Sequence, residues 1–328
     1  MKIAIIGSGS WGSAMARHTA LLGHEVALYA RRPELIEEIR RTGVNAHYLP
    51  GVRLPETIQI SDDVSEVLKD AQMVIMAIGA QSVRSFLQAH VALLQGKSIV
   101  SLSKGIEMGT HLRMSEVYDE FLPGNPFAVL SGPSHAEEVA ADLPTTVVVA
   151  SVDPTFSRMI QKNLNNETLR IYTSDDLPGV ELGGALKNVI ALAVGISDGY
   201  GYGDNTRAAL MTRGMAEILR LGLALGAKLP TFLGLSGMGD LIVTCTSKHS
   251  RNRGCGELIG QGVSPDEAIR RIGMVVESVP TLESTLALAG ELGIDMPICQ
   301  VVCDILEGRS GVEETVEKLM SREMKEEA

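Results

Sequence analysis

Cysteine is scarce in this chain. Its four cysteines, at positions 245, 255, 299 and 303, form no C-x-x-C pair and no regular framework, which argues against a disulfide-stapled scaffold and the common structural zinc sites. Cys245, His249 and Cys255 have ligand chemistry but spacings foreign to those sites, so no metal is expected. Cys299 and Cys303 stand at helical i, i+4 spacing and read as small core residues. Long apolar runs are lacking as well. No segment comes near the roughly 18 residues of a membrane span without an interrupting Gly, Ser or Asp, and the apolar start of the chain ends at Gly7, too soon for a secretory signal. A cytoplasmic location is the default expectation. Positive charge is in deficit: 29 Lys and Arg face 40 Asp and Glu, a net charge of −11. That balance argues against nucleic acid as a general partner, while leaving room for a few basic residues to hold a small anion.

What is present begins with "MKIAIIGSGSWGSAMARHTALLGHEVALYARRPE". Lys2 to Ile6 form a short β-branched run suited to a buried parallel strand. Gly7, Gly9 and Gly12 then spell G-x-G-x-x-G before a helical segment that ends at Gly23, and "HEVALYA" supplies the second strand. In such a βαβ unit the first glycine makes the tight turn, the second lets backbone approach a pyrophosphate, and the third lets helix and strand pack closely. The pyrophosphate sits on the helix N-terminus, where free N–H groups favour an anion. The acid that would pair with a ribose 2′-hydroxyl is missing: after Tyr29 come Ala30, Arg31 and Arg32. Two guanidinium groups in that place favour a 2′-phosphate, hence NADPH. Read instead as a surface pair or an adenine contact, they leave NADH use open.

At 328 residues the chain has room for two domains. Up to about residue 180, strands ("QMVIMAI", "KSIVSLS", "FAVLSG", "TTVVVAS") alternate with helices ("DDVSEVLKD", "QSVRSFLQAHVALL", "GTHLRMSEVYDEF"). This predicts a doubly wound, mostly parallel α/β sheet over 1–180. Beyond it, helical periodicity in "ELGGALKNVIALAVGISDG", "NTRAALMTRGMAEILRLGLALG" and "PTLESTLALAGELG" predicts an all-α domain over 181–328, with "SDDLPGV" as a polar turn between the two. Ser264, Pro265 and Glu267 suggest a capping box, and the charged tail "EETVEKLMSREMKEEA" reads as a last helix that frays. The apolar helices of the second domain are compatible with a homodimer, and equally with a core.

A nucleotide domain joined to a helical one suggests hydride transfer in the cleft between them. Lys187 stands in an otherwise small and apolar helix, where a lysine can lose its preference for the charged form and move protons, or can snorkel to water. In "SGMGDLIVTCTSKHSRNRGCG", Asp240 follows a glycine turn, and Ser250, Arg251 and Asn252 open a helix. Those three offer a phosphate cradle, or else a basic loop on an acidic surface. Lys104 in "LSKGIE", and Gly132, Ser134 and Ala136 in "SGPSHAEEVA", lie just past strand ends, the ligand side of such a sheet. Glu277, in the apolar run "GMVVESVPT", needs a hydroxyl or cationic partner.

These segments, together with "GSGSWG" and "ELGGALKNVIALAVGISDGYGYGDNTRAALMTRGMAEI", resemble in order and spacing the bacterial NAD(P)-dependent glycerol-3-phosphate dehydrogenases, from residue 1 to about 305. The resemblance implies reduction of dihydroxyacetone phosphate to sn-glycerol 3-phosphate, a phospholipid precursor. It implies cofactor contacts at Ser10, Trp11, Arg31, Arg32, Lys104, Ala136, Arg251, Val275 and Glu277. Substrate contacts are implied at Lys104, Gly132, Ser134, Lys187, Asp240, Ser250, Arg251 and Asn252, with Lys187 exchanging the proton and Asp240 orienting it. Departures from the family pattern are Gly79 and Ala80 for a proline and a serine, His135 for an aromatic, Cys255 for a bulkier residue and Ser278 for a glycine. Gly79 is expected to loosen a loop beside the cofactor. The alternatives are a related dehydrogenase acting on a 3-hydroxy acid or sugar phosphate, and a nucleotide-sensing protein that has kept the fold without catalysis.

Overall fold

The computed structural model describes residues 1–324 and 326. Eight strands form one sheet: β1 (Lys2–Ile6), β2 (Glu25–Tyr29), β3 (Gln59–Ser61), β4 (Met73–Met76), β5 (Ser98–Ser101), β6 (Phe127–Ser131), β7 (Thr145–Ala150) and β8 (Leu169–Ser174). Their spatial order is β3-β2-β1-β4-β5-β6-β7-β8, parallel throughout except for the antiparallel β6–β7 pair. β4 is Met-Val-Ile-Met, buried at every position because helices cover both faces of the sheet. Successive strands are added to one side of β1 up to β3 and to its other side from β4 onward, so a crevice opens at the C-terminal ends of β1 and β4.

β3 and β8 are the two edge strands, and the sequence pattern did not reveal them. β3 is short, and β8 alternates buried Leu169 and Ile171 with exposed Arg170 and Tyr172, the signature of a strand covered on one face. The helix expected from residue 109 begins at Met114, because Gly109 (φ +79°) and His111 (φ +58°) take left-handed conformations that a helix cannot continue through.

The polar run "SDDLPGV" is not a free turn. Asp176 caps a 24-residue helix, Leu177–Tyr200, by accepting from Gly179 N at 3.0 Å, and its other oxygen takes Lys228 N and Thr231 Oγ1. Every residue of this central helix from Gly179 to Ser197 is buried, as befits a helix apolar all round. It also corrects the expectation that no segment has the length and composition of a membrane span: its mean hydropathy reaches 1.4, but that window is wholly enclosed by protein. Around it pack the helices Asp204–Ala224, Asp240–Thr246, Arg251–Gly260, Ser278–Leu292 and Pro297–Leu306.

One smaller expectation also changes. Ser264 stands at the N-cap with Pro265 in the first turn, yet among the described residues its hydroxyl caps nothing, and Glu267 instead binds Arg270 and Arg271 one turn on. The last helix is Val312–Met320, and part of the charged tail (325, 327 and 328) lies outside the described residues.

Candidate active site

The loops that follow β1, β4, β5 and β6 face the helical half across a cleft of about 980 Å³. At its sheet end the turn Gly7–Gly9 leads into the helix Ser10–Leu21. Gly7 has φ +113°, and a Cβ there would lie 2.5 Å from Ala77 O; one on Gly12 would lie 1.8 Å from Gly7 O. Both positions therefore exclude any side chain, which lets the helix start close against β1 and β4. A Cβ on Gly9 would meet nothing within 4 Å. The helix start has no side-chain cap among the described residues, so its first N–H groups remain free for an anion. A dinucleotide pyrophosphate fits this arrangement.

Gly7, Gly9, Ser10 and Trp11 line the cleft, with Gly12 packed beneath them. Beyond the end of β2, Arg31 and Arg32 are exposed and line its outer end, and the Arg32 guanidinium sits 5.2 Å from the centre of the Tyr48 ring. Tyr48 O also receives the Ser10 hydroxyl at 2.5 Å. Sequence reasoning missed Tyr48, which lies in an irregular segment without a motif.

At the inner end, three elements converge on one carboxylate. Lys187, from the central helix, donates Nζ to Asp240 Oδ1 at 2.5 Å and to Thr244 Oγ1 at 2.7 Å; Lys104, from the loop after β5, donates to Asp240 Oδ2 at 2.8 Å. Thr244 in turn donates to Asp240 O at 2.6 Å. Burial pushes the Lys187 ammonium down to about 8, with Asp240 opposing and Lys104 assisting. Burial would raise the Asp240 carboxyl, but the two lysines outweigh it and hold it below its ordinary range. The result is an ionised aspartate holding a lysine poised near neutral pH. Asp240 stays behind the lysines, while Lys104 and Lys187 face the cleft.

Gly132 (φ +132°) also sits behind this wall, its carbonyl accepting from Lys104 Nζ at 3.3 Å and from Ser134 Oγ at 2.8 Å. Ser134, His135 and Ala136 line the cleft. Ser250 caps the helix Arg251–Gly260 by accepting from Arg253 N at 3.2 Å, and Ser250, Arg251 and Asn252 line the cleft opposite the lysines. Asn252 Nδ2 donates to Asn188 Oδ1 at 3.0 Å, and its own Oδ1 accepts from Ser278 N. Asn188 and Thr244 both line the site and were not singled out beforehand, although one follows Lys187 and the other stands four residues after Asp240 on a helix.

Val275 is exposed on the rim. Glu277 corrects an expectation, since its partner is neither hydroxyl nor cation: Oε1 accepts from the backbone of Ala80 at 3.2 Å, and Oε2 is buried without a partner among the described residues. Burial raises this carboxyl, against the Ala80 bond and the more distant Arg251. Gly79 holds ordinary extended backbone (φ −62°, ψ 146°), and the adjoining turn is pinned by that Ala80 bond and by Ser82 N to Gly79 O.

A parallel sheet with a glycine turn at its switch point, facing a buried lysine–aspartate pair from a helical half, defines a two-part dinucleotide-dependent oxidoreductase. Comparison with known proteins narrows this. Residues 2–157 match the family model for the NAD-dependent glycerol-3-phosphate dehydrogenase N-terminus, and residues 176–317 match that for its C-terminus. A glycerol-3-phosphate dehydrogenase (NAD(P)+) of Geobacillus thermodenitrificans is 50% identical over 99% of this chain and 96% of its own length; one from Geobacillus kaustophilus is 51% identical over the same shares. The crystal structure of glycerol-3-phosphate dehydrogenase from Coxiella burnetii superposes with a TM-score of 0.94 at 38% identity, covering 98% of this chain and 99% of that one. The chain belongs to the NAD-dependent glycerol-3-phosphate dehydrogenase family.

Proposed function

We propose that this protein reduces dihydroxyacetone phosphate to sn-glycerol 3-phosphate, a phospholipid precursor, in the cleft between sheet and helices. The observation that carries the proposal is the buried Lys187–Asp240 pair facing the same cleft as the glycine turn and the Ser250–Asn252 helix start. A nicotinamide dinucleotide, bound along Gly7, Gly9, Ser10 and Trp11, supplies the hydride. Ala136, Val275 and Glu277 flank its inner part, and Arg31 and Arg32 face the adenosine end, where they favour a 2′-phosphate and so NADPH over NADH.

Lys187 places its Nζ at the substrate carbonyl oxygen, stabilises the negative charge that grows there, and gives it a proton. Asp240 holds the ammonium and compensates its charge, Thr244 fixes its direction, and Lys104 adds a second positive charge. Arg251, Ser250, Asn252 and the free N–H groups of their helix bind the phosphate, which holds the carbonyl against Lys187. Gly132 and Ser134 shape the wall behind it. A cytoplasmic location and a homodimer built on the helical half accompany this reading. Its test is the rate of dihydroxyacetone phosphate reduction by purified protein with NADPH and NADH at matched concentrations. Turnover on 3-hydroxy acids or 6-phosphogluconate, and none on dihydroxyacetone phosphate, would replace it with a related dehydrogenase.

A further inference from the structure

The run from Ser197 to Arg207 takes no part in the reaction above, yet it converges with the phosphate-side helix on one carboxylate. Asp198, its side chain 6% exposed near the end of the central helix, accepts at Oδ2 from Arg253 Nε (3.0 Å) and Nη2 (2.7 Å). Its Oδ1 accepts from Arg207 Nε at 3.1 Å, and Arg207 Nη2 forms an ion pair with it at 3.0 Å. Arg253 lies two residues beyond Arg251, so the residue facing the cleft and the one clamped by Asp198 share a single helical turn. Lys187 and Asp198 share the central helix, about 16 Å apart along its axis.

These two helices meet through glycine. A Cβ on Gly195 would lie 2.0 Å from Arg253 O and one on Gly199 2.1 Å from Glu257 O; on the other helix, Cβ atoms at Gly256 and Gly260 would lie 2.2 Å from Leu192 O and Ile196 O. Backbone therefore rests on backbone. Cys255 and Ile259 pack beside these glycines in one core with Leu192 and Ile196, so the contact is close and apolar along its middle, and polar contacts lie at its two ends. Those polar contacts add direction to the register that the packing sets. At the cleft end there is the neutral Asn252–Asn188 bond; at the far end two Arg253 N–H groups converge on Asp198 Oδ2, a charge-assisted and therefore stronger kind of contact.

We propose that Asp198 is a positioning residue for the reaction: by clamping Arg253 and Arg207 across the glycine-lined contact, it holds Arg251 and the helix start in register with Lys187. The proposal rests on the reading that Ser250, Arg251 and Asn252 bind the phosphate. Removing the clamp lets the cradle shift against the proton donor without disturbing the cofactor turn. The loss therefore falls on substrate binding and on its alignment with Lys187, and spares the cofactor.

The experiment compares wild type, D198N and R251A by steady-state kinetics in dihydroxyacetone phosphate at saturating NADPH, with NADPH Kd measured separately. For D198N the expected result is a KM about tenfold to a hundredfold higher together with a lowered kcat, and an NADPH Kd within about threefold of wild type. A purely structural role would lower the melting temperature and leave the KM of the folded enzyme unchanged. If D198N does not fold, R253K retains the charge but loses the fork, and the same rise in KM is expected. A wild-type KM in the folded variant, or a fall in kcat alone, beside a raised KM in R251A, overturns the clamp and spares the phosphate reading. A wild-type KM in R251A overturns the phosphate reading itself, and the clamp with it.

Discussion

The two ends of the cleft bind by different physics. At the sheet end the work falls to backbone: Gly7, Gly9 and Gly12 clear space, and a helix start offers free N–H groups. At the helical end it falls to buried charge, with Lys104, Lys187 and Asp240 drawn from elements up to 136 residues apart and bonded at 2.5 and 2.8 Å. Backbone recognition depends on local geometry and contains no group that takes up or releases a proton. Buried charge depends on each partner remaining in place, because an ammonium taken out of water keeps its proton only while an anion offsets the loss of solvation. The first end grips a ligand that many enzymes share, and the second decides what is done to the other reactant.

The sharpest way to break this contrast is Asp240→Asn. It leaves two lysines without their anion, so kcat is expected to fall about a thousandfold while NADPH Kd stays near wild type. The same change removes the interaction that raises the Lys187 ammonium, so any residual activity should titrate below pH 8. An Asp240→Asn enzyme with wild-type kcat would show that the charge network is structural.

Next in size is the double variant Arg31→Ala, Arg32→Ala. Two charge-assisted contacts to a 2′-phosphate amount to about 3 kcal/mol, so KM for NADPH should rise about a hundredfold while KM for NADH hardly moves. Equal losses with both cofactors would reduce these arginines to an adenine contact, like the packing of Arg32 on Tyr48.

The difference between the ends was visible in the sequence only in part. G-x-G-x-x-G carries its own geometry, because each glycine answers to a neighbour in the same βαβ unit. Lys187, Asp240 and Lys104 could be named individually from their setting, but nothing in a linear chain says that one carboxylate will hold both lysines. Thr244 and Asn188 were passed over because their roles arise from tertiary packing: Thr244 ties Lys187 to the backbone of Asp240, and Asn188 meets Asn252 across two helices. The edge strands β3 and β8 escaped for a related reason, since a strand covered on one face or only briefly paired lacks the continuous apolar run of β4.

A smaller effect separates the ends by pH. Lys187 gives its proton during reduction, so the ammonium is the active form. With its midpoint at about 8, the reductive rate should be level below that pH and fall about tenfold per unit above it, while the oxidative rate, which needs the neutral amine, should climb over the same range. NADPH binding, held by backbone N–H groups with Arg31 and Arg32 and not by Lys187, should stay flat across that interval in a fluorescence titration. The smallest expected change is Ser250→Ala, which removes the cap on Arg253 N and should cost about 1 kcal/mol in thermal or denaturant unfolding.

The most direct test of the whole account is turnover of dihydroxyacetone phosphate by wild type and Lys187→Ala at saturating NADPH, with NADPH affinity measured on both. The account predicts that wild type forms sn-glycerol 3-phosphate and that the variant loses at least about a hundredfold in kcat with an unchanged NADPH Kd. A variant that turns over like wild type would contradict it, because proton transfer would then belong to another group in the cleft.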